Sequence, residues 1–412
     1  MRLFLLECKR VFTSRMAIGA MTFSLIVSLF LSFSMINGIK ITDRDINTLY
    51  KGVAALDYAR AIAAPNEGEM TPEKLIAMND LYVVIENKYG VGDMKNVPEE
   101  IYQEKIRPIR DFINVPGLVY KSTETGMTIP PKERTSEMLT HFYIARDAAL
   151  PDFIRDKYTH DAEKINAVME INTKLQTPFY YASTLGWNDA LENIGFVILL
   201  LAFAIVLVTS SVFSSDYQTD ADAIQRTTKK GRLPLGLSKI GTSLLFAVVS
   251  YFFCIGLMTA IFMYFCGTEG LRASVQVVEP MCIAPMTFGD LLKALLMSGL
   301  LTILAITAFS LLVSSRTKTP VVSLIISVAM ILAPTVIVLI SMGDMANWIR
   351  LCLPSGGLGV MGTIYYEIMA YVNILKIGTV TIWSPNVVLV APIVLIPILI
   401  IFTLRSYIKF QN

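Results

Sequence analysis

Residues 214–238 read SSDYQTDADAIQRTTKKGRLPLGLS, a polar stretch that lies between two long apolar runs. The run before it, residues 194–213, has no charged side chain over 20 residues, and the run after it, residues 240–265, has none over 26. At about 1.5 Å of rise per helical residue, each run is long enough to cross a hydrocarbon layer roughly 30 Å thick. The polar stretch is therefore predicted to connect two transmembrane helices at one face of a membrane.

The sign of its charges predicts which face that is. Cations accumulate in short cytoplasmic connections, and here there are five of them: Arg226, Lys229, Lys230, Arg232 and Lys239. The predicted cytoplasmic segments together hold 13 Lys and Arg, against 4 in the two short outer loops. This asymmetry predicts a multi-pass protein of the cell membrane with both termini in the cytoplasm.

The composition excludes an ordinary soluble domain. The chain has 412 residues, of which 54% are hydrophobic and 17% charged, and its mean hydropathy is +0.57. These values are typical of a polytopic membrane protein in contact with lipid. Because the basic residues lie in short loops beside apolar runs and form no single patch, we expect no nucleic-acid partner.

Residues 38–193 have the charge content and apolar spacing of a soluble helical domain. The stretch from 38 to 194 holds 18 Lys and Arg against 24 Asp and Glu, and apolar residues recur at helical spacing. Thr71-Pro72-Glu73 is a helix start, Pro108 a kink or break, and Pro116-Gly117 a turn signal. No sustained alternation argues for a sheet, so the sequence predicts a mostly α-helical domain on the outer side.

The predicted fold is an α-helical polytopic membrane protein with six transmembrane helices and a mostly α-helical extracytoplasmic domain between the first and second. The predicted spans are residues 16–37, 194–213, 240–265, 294–313, 321–340 and 386–404. The predicted remainder is a cytoplasmic interfacial helix (1–15), the extracytoplasmic domain (38–193), a coupling segment (214–239), an outer loop (266–293), a cytoplasmic turn (314–320), an outer or re-entrant segment (341–385) and a cytoplasmic tail (405–412).

The sequence offers one weak motif for cofactor binding, the G-x-G-x-x-G of Gly357, Gly359 and Gly362, which follows Pro354 and not a strand and is interpreted as a flexible bend. It has no G-x-x-x-x-G-K-[ST] loop to hold nucleotide phosphates and no G-x-S-x-G elbow. Its two histidines, His141 and His160, have no second ligand at the spacing of a zinc site. We therefore expect a non-catalytic chain that itself binds no cofactor and no metal.

Two cysteines leave two alternatives open. Cys266 and Cys282 both lie in the predicted outer loop, where an oxidising compartment would permit a disulfide between them. The other reading is a pair of reduced, buried thiols, the common state of cysteine in protein interiors.

The polar stretch also resembles a segment of a known family, the permease subunits of the type-2 exporters among the ATP-binding-cassette transporters. In these permeases a Phe, small residues, an acid and an aromatic follow the second span, and a hydrophobic pair, a Gly-Arg and a Lys come later. The matching residues here are Phe213, Ser214, Ser215, Asp216, Tyr217, Ala223, Ile224, Gly231, Arg232 and Lys239. The sequence departs from the family at Asp216, where Glu is more usual, and at Asp220, where Gly is usual.

The resemblance implies a coupling helix that docks into a separate ATPase subunit, which would bind ATP and magnesium. It also implies a second permease copy or a paralogue beside this chain, with membrane lipid around both. The residues that it assigns to ATPase docking are Asp216, Tyr217, Asp220, Asp222, Ile224, Arg226, Lys229, Lys230, Gly231 and Arg232.

Other functions remain alternatives at this stage. A membrane-anchored receptor or assembly factor would act through the extracytoplasmic helical domain, and a membrane-embedded enzyme is a third class. The substrate cannot be read from the sequence, although the few charges in the spans disfavour a strongly ionic one.

Overall fold

Helices dominate the structure, a computed structural model that describes residues 2–43, 46–89, 96–121, 126–228, 231–341, 343–359 and 363–409. The chain is 74% helical. Within the described ranges, six helices are long and apolar enough to cross a membrane: Arg15–Gly38, Trp187–Gln218, Leu233–Cys266, Phe288–Ser314, Pro320–Ile340 and Ser384–Lys409. The predicted class, an α-helical polytopic membrane protein, is confirmed.

The α-helices, in chain order, are α1 (Arg2–Phe12), α2 (Arg15–Gly38), α3 (Val53–Ala63), α4 (Pro72–Tyr89), α5 (Glu99–Ile101), α6 (Arg110–Val119), α7 (Ser136–Thr140), α8 (Phe142–Lys157), α9 (Ala162–Asn172), α10 (Trp187–Thr209), α11 (Ser214–Gln218), α12 (Ala221–Thr227), α13 (Leu233–Tyr251), α14 (Leu257–Cys266), α15 (Phe288–Ser314), α16 (Pro320–Ile340), α17 (Asp344–Cys352), α18 (Ile364–Met369) and α19 (Ser384–Lys409). The strands are β1 (Lys40–Thr42), β2 (Thr48–Lys51), β3 (Gly68–Glu69), β4 (Tyr180–Tyr181), β5 (Ile374–Ile377) and β6 (Val380–Trp383).

Two of the spanning helices, α10 and α15, begin several residues before their apolar runs. Thr287 caps α15 by accepting a hydrogen bond from the amide of Asp290, whose carboxylate accepts one from the Thr287 amide in return. This helix therefore starts at Phe288, and α10 starts at Trp187, although the apolar runs begin at 294 and 194. An absence of charge locates the membrane-crossing part of a helix, whereas the helix itself continues to its caps.

The domain between α2 and α10 is mostly helical, with two local departures from the sequence prediction. Pro116 lies inside α6, so the predicted turn at Pro116-Gly117 is wrong; the helix ends only at Val119. The expected break at Pro108 is present as a short 3-10 segment, Arg107–Ile109, before α6. Short antiparallel pairs, β1 with β2 and β3 with β4, tie the chain near the two ends of the domain.

The core of this domain includes residues from far along the chain. Val277, Met281 and Ile283, which follow the third spanning helix, pack into it. Arg146, which has no solvent exposure, donates to the carbonyls of Pro280 at 2.7 Å and Cys282 at 2.9 Å. The domain is thus held to the loop between α14 and α15 by apolar packing and by a buried guanidinium.

The segment predicted as outer or re-entrant, residues 341–385, contains a hairpin that the sequence analysis did not predict. Strands β5 and β6 pair antiparallel around Gly378, whose φ of +59° favours glycine. Helices α17 and α18 come before the hairpin and are joined by a buried ion pair between Arg350 and Glu367 at 2.5 Å. Lys376 of β5 contacts Asp161 at 2.9 Å, at the start of α9. The α17–α18 pair, the β5–β6 hairpin and the start of α9 therefore meet on one side of the bundle.

The two cysteines of the loop between α14 and α15 are unpaired thiols in the structure. Cys266 and Cys282 thus have there the form that the second alternative describes. Both are buried, and the Cys282 thiol donates a hydrogen bond to the carbonyl of Ile368 at 3.3 Å. Burial raises the pKa of Cys282 to about 12, which keeps it protonated at neutral pH.

We expect Cys282 to resist maleimide in the native full-length chain, because the thiolate is the reactive form. Peptide mass spectrometry after labelling without reductant should find Cys282 unmodified until the chain is unfolded, whereas the exposed Cys352 is modified first. Recovery of a Cys266–Cys282 linked peptide from freshly purified protein would show that the two cysteines form a disulfide and are not the free thiols of the structure.

Candidate functional site

The polar stretch folds into a continuation of the second spanning helix followed by a separate short helix. Helix α11 continues that spanning helix, and α12 (Ala221–Thr227) forms the tip before α13 begins at Leu233. Between the two short helices Asp220 takes φ +55°, in the left-handed region. Residues with a side chain are disfavoured there, glycine is not, and Asp is among the better tolerated. The left-handed backbone explains why Gly is usual at this position in the family. Asp220 adopts the same conformation at a small cost in free energy.

Helix α12 presents one face to solvent and one to the protein. Ile224 is 74% exposed, an unusual surface position for so large an aliphatic side chain, and Ala223 beside it is also exposed. Asp222 on the other face is only 3% exposed. Arg232, just before α13, is exposed.

Three of the predicted docking residues cannot be placed in detail. Lys229 and Lys230 lie outside the described residues, as does the side chain of Arg226.

A buried cluster of charges lies at the base of α12. The Lys239 side chain has no solvent exposure, and its ammonium pairs with the carboxylate of Asp216, which is 9% exposed. Lys239 also donates to the carbonyl of Val212 at 3.1 Å. Arg10 of α1 approaches the same carboxylate at 3.3 Å and is itself 3.0 Å from Glu7. The cluster therefore joins α1 to the facing ends of the second and third spanning helices.

Two further contacts extend this base to the fourth and sixth spanning helices. The Ser314 hydroxyl, at the end of α15, accepts from the backbone amides of Phe213 and Ser214, each at 3.1 Å. The hydroxyl of Tyr217, which is buried, donates to the carbonyl of Ser315 at 3.4 Å. In α19, the Tyr407 hydroxyl donates to the carbonyl of Gly231 at 2.9 Å. The segment that carries α12 is thus anchored to four spanning helices and to α1.

Gly231 is required for steric reasons. A β-carbon at this position would lie 1.6 Å from the carbonyl oxygen of Gln225 and 2.7 Å from the Thr228 hydroxyl. Both contacts are far inside van der Waals distance, and the first is with backbone, which cannot rotate away. Only glycine lets the chain return this closely beneath α12.

The seven predicted docking residues that the structure describes in full fall into two sets. Asp216, Tyr217, Asp222 and Gly231 belong to the buried base, whereas Asp220, Ile224 and Arg232 face solvent. Sequence reasoning did not assign Glu7, Arg10, Ser314 or Tyr407 to the site. One signal was available: Lys239 directly precedes a 26-residue uncharged run, and a cation so placed in a helix needs an acidic partner.

Comparison with known proteins gives one match. A family model described as ABC-2 family transporter protein matches residues 94–405, which include α11, α12 and all or most of five of the six candidate spanning helices. Neither the search of curated proteins nor the search of solved structures returned a match.

The buried pair makes a prediction about stability. Asp216→Asn should destabilise the full chain by about 3 kcal/mol, because Lys239 would keep a buried charge without its counterion. Lys239→Met should cost less, since Arg10 still neutralises Asp216. The double variant should be more stable than Asp216→Asn alone. Melting curves in detergent measure all three, and losses that simply add would mean that the two side chains are not coupled.

Gly231→Ala should displace α12 from its base, because the new methyl group collides with the Gln225 carbonyl. Overpacking of this kind costs about 1–3 kcal/mol. Hydrogen exchange of residues 221–228 should rise in the variant. Gly343→Ala is the matched control, since a β-carbon there meets only the Ser341 hydroxyl at 3.5 Å. Equal exchange in both variants would contradict the steric account.

Proposed function

The chain belongs to the ABC-2 family of transporter proteins, and from this membership we propose that it is the permease of an ATP-driven exporter. We propose further that the ATPase subunit contacts the chain at α12 and changes its conformation through that contact. The family makes it a membrane permease subunit of an ABC transporter and implies pairing with an ABC ATPase subunit. The proposal adds the contact itself, the coupling to ATP and the direction of transport.

The exposure of Ile224 on a rigidly anchored short helix carries the proposal. A docking element needs an apolar contact that becomes buried in the complex, and Ile224 is 74% exposed at the tip. It also needs a base that transmits displacement without deforming. The Asp216–Lys239 pair and the Tyr407–Gly231 hydrogen bond supply that base.

In the proposed mechanism, closure of the ATPase subunits around ATP moves α12 together with its base. The second spanning helix follows directly, since α11 is its continuation. The third follows through Lys239, and α1 follows through Arg10. A displacement at one short helix would thereby reorient several spanning helices together and switch a cavity between the two membrane faces.

The remaining parts of the proposal concern partners and orientation. ATP and magnesium would bind to the ATPase subunit, and a second permease copy or a paralogue would pack beside this one in the cell membrane. With α12 facing the ATPase, both chain termini would lie in the cytoplasm and the helical domain on the outer side. The alternative of a receptor or assembly factor predicts no ATPase contact at α12.

The test is co-purification of the tagged full-length chain from its native membranes with a P-loop ATPase subunit, identified by mass spectrometry. Ile224→Asp should lower the recovered ATPase about tenfold or more, because it places a charge in a desolvated contact. Ile46→Asp is the matched control, since Ile46 is 81% exposed in the domain between α2 and α10. Undiminished recovery with Ile224→Asp would refute docking through α12.

A further inference from the structure

A cavity of about 370 Å³ lies where the helical domain joins the first two spanning helices. One side is formed by residues 40–43, directly after α2, and by residues 183–185, directly before α10. The opposite side is formed by α3 and by residues 102–111. The volume falls in the range of about 300–1,000 Å³ that small-molecule sites occupy. Helix α2 ends at Gly38 and α10 begins at Trp187, so the cavity lies where these two helices meet the domain.

Three cations line this cavity: Lys40, Arg107 and Arg110. Arg107 lies in the 3-10 segment Arg107–Ile109, and in such a turn positions i and i+3 are nearly eclipsed. The two arginines are therefore held near each other on one wall. Two guanidinium groups side by side repel unless an anion lies between them.

The two carboxylates that line the cavity are already engaged by other groups. Asp43 accepts from the backbone amide of Asn47 at 2.7 Å and from its side-chain amide at 3.0 Å. Asp111 is hydrogen-bonded to Tyr181. Burial raises the pKa of Asp111 above its usual value, although Arg110 opposes the shift. Among the described lining residues, three cations stand against these two carboxylates. The cations of the cavity thus outweigh its anions.

Arg107 has unused donor capacity. One of its terminal nitrogens donates to the carbonyl of Thr42, while its Nε is buried and has no acceptor among the described residues. A buried guanidinium N–H without an acceptor is uncommon in native proteins. An oxygen-rich anion is the ligand that a guanidinium fork recognises best.

We propose that this cavity binds a phosphate-bearing anion through Arg107 and Arg110, with Lys40 adding positive charge. Phosphate is the anion whose several oxygens can bridge two guanidinium groups, and it is also the anionic group of phospholipid headgroups. The apolar side chains of Ile62 and Leu185 on the cavity wall suit the carbon part of a phosphoester. The site is separate from α12 and does not depend on ATPase docking.

Two sources of the phosphoester are separated by two arms of one experiment. Purified full-length chain in a phosphate-free maltoside detergent is titrated with glycerol 3-phosphate by calorimetry. In parallel, nanodiscs of phosphatidylcholine alone and of phosphatidylcholine with phosphatidylglycerol are compared by native mass spectrometry for retained phosphatidylglycerol. Binding in the first arm identifies a soluble phosphoester, and retention only in the second identifies a lipid headgroup.

In whichever arm the unmodified chain binds its ligand, Arg107→Gln and Arg110→Gln should each weaken that binding about tenfold or more. Each substitution removes a charge-assisted hydrogen bond to the phosphate. Arg155→Gln is the matched control, an arginine of the same domain that pairs with Asp152 on the surface. Its binding should equal that of the unmodified chain. Arg110 is exposed, so its variant folds even if loss of Arg107 disturbs the domain.

Failure of the unmodified chain to bind in both arms would overturn the proposal. So would binding that Arg110→Gln and Arg155→Gln reduce equally, since that outcome describes non-specific attraction to surface charge. Neither result affects the docking test with Ile224, which measures a different surface.

Discussion

The charge on Lys239 must be compensated where it is buried, and this constraint fixes the arrangement of helices around the site. An ammonium without solvent exposure is too costly to bury alone, so a carboxylate has to lie beside it. Asp216 fills that position and thereby sets the second spanning helix against the third. Arg10 then neutralises the same carboxylate from outside and places α1 across both. One buried cation thus determines the relative positions of three helices that apolar packing alone would leave free to slide.

The sequence was informative where a single local property decides the structure. Absence of charge over about twenty residues identified the spanning helices, because lipid excludes almost any other structure. It did not identify their ends, since caps such as Thr287 lie outside the apolar runs. The prediction of a turn at Pro116 was wrong for a different reason. This proline stays inside α6 because surrounding core contacts outweigh the propensity of proline to end a helix. The partner of Arg10 lies 206 residues away, a separation that no local pattern encodes.

Backbone geometry explains more of the polar stretch than charge does. Its cations predict only the membrane face at which it lies, and two of them, Lys229 and Lys230, lie outside the described residues. The positions with the tightest geometric demands are Asp220, in the left-handed region, and Gly231, which has no room for a β-carbon. Together they turn the chain out of α11, through α12 and back toward α13 within a few residues. A helix placed by such close turns keeps its position relative to the base, which is the property that a force-transmitting contact requires.

The domain between α2 and α10 is not an independent module attached to the bundle. Its core takes in Val277 and Ile283 from beyond the third spanning helix, and Arg146 holds the carbonyls of the same loop. At the start of α10 the Trp187 indole donates to the carbonyl of Gly267 at 2.9 Å, so the second and third spanning helices are joined there as well as at Asp216 and Lys239. Two helices fixed to each other at both ends move as one body. A displacement of α12 must therefore reach the domain, because the pair of helices that carries the site at one end carries the domain at the other.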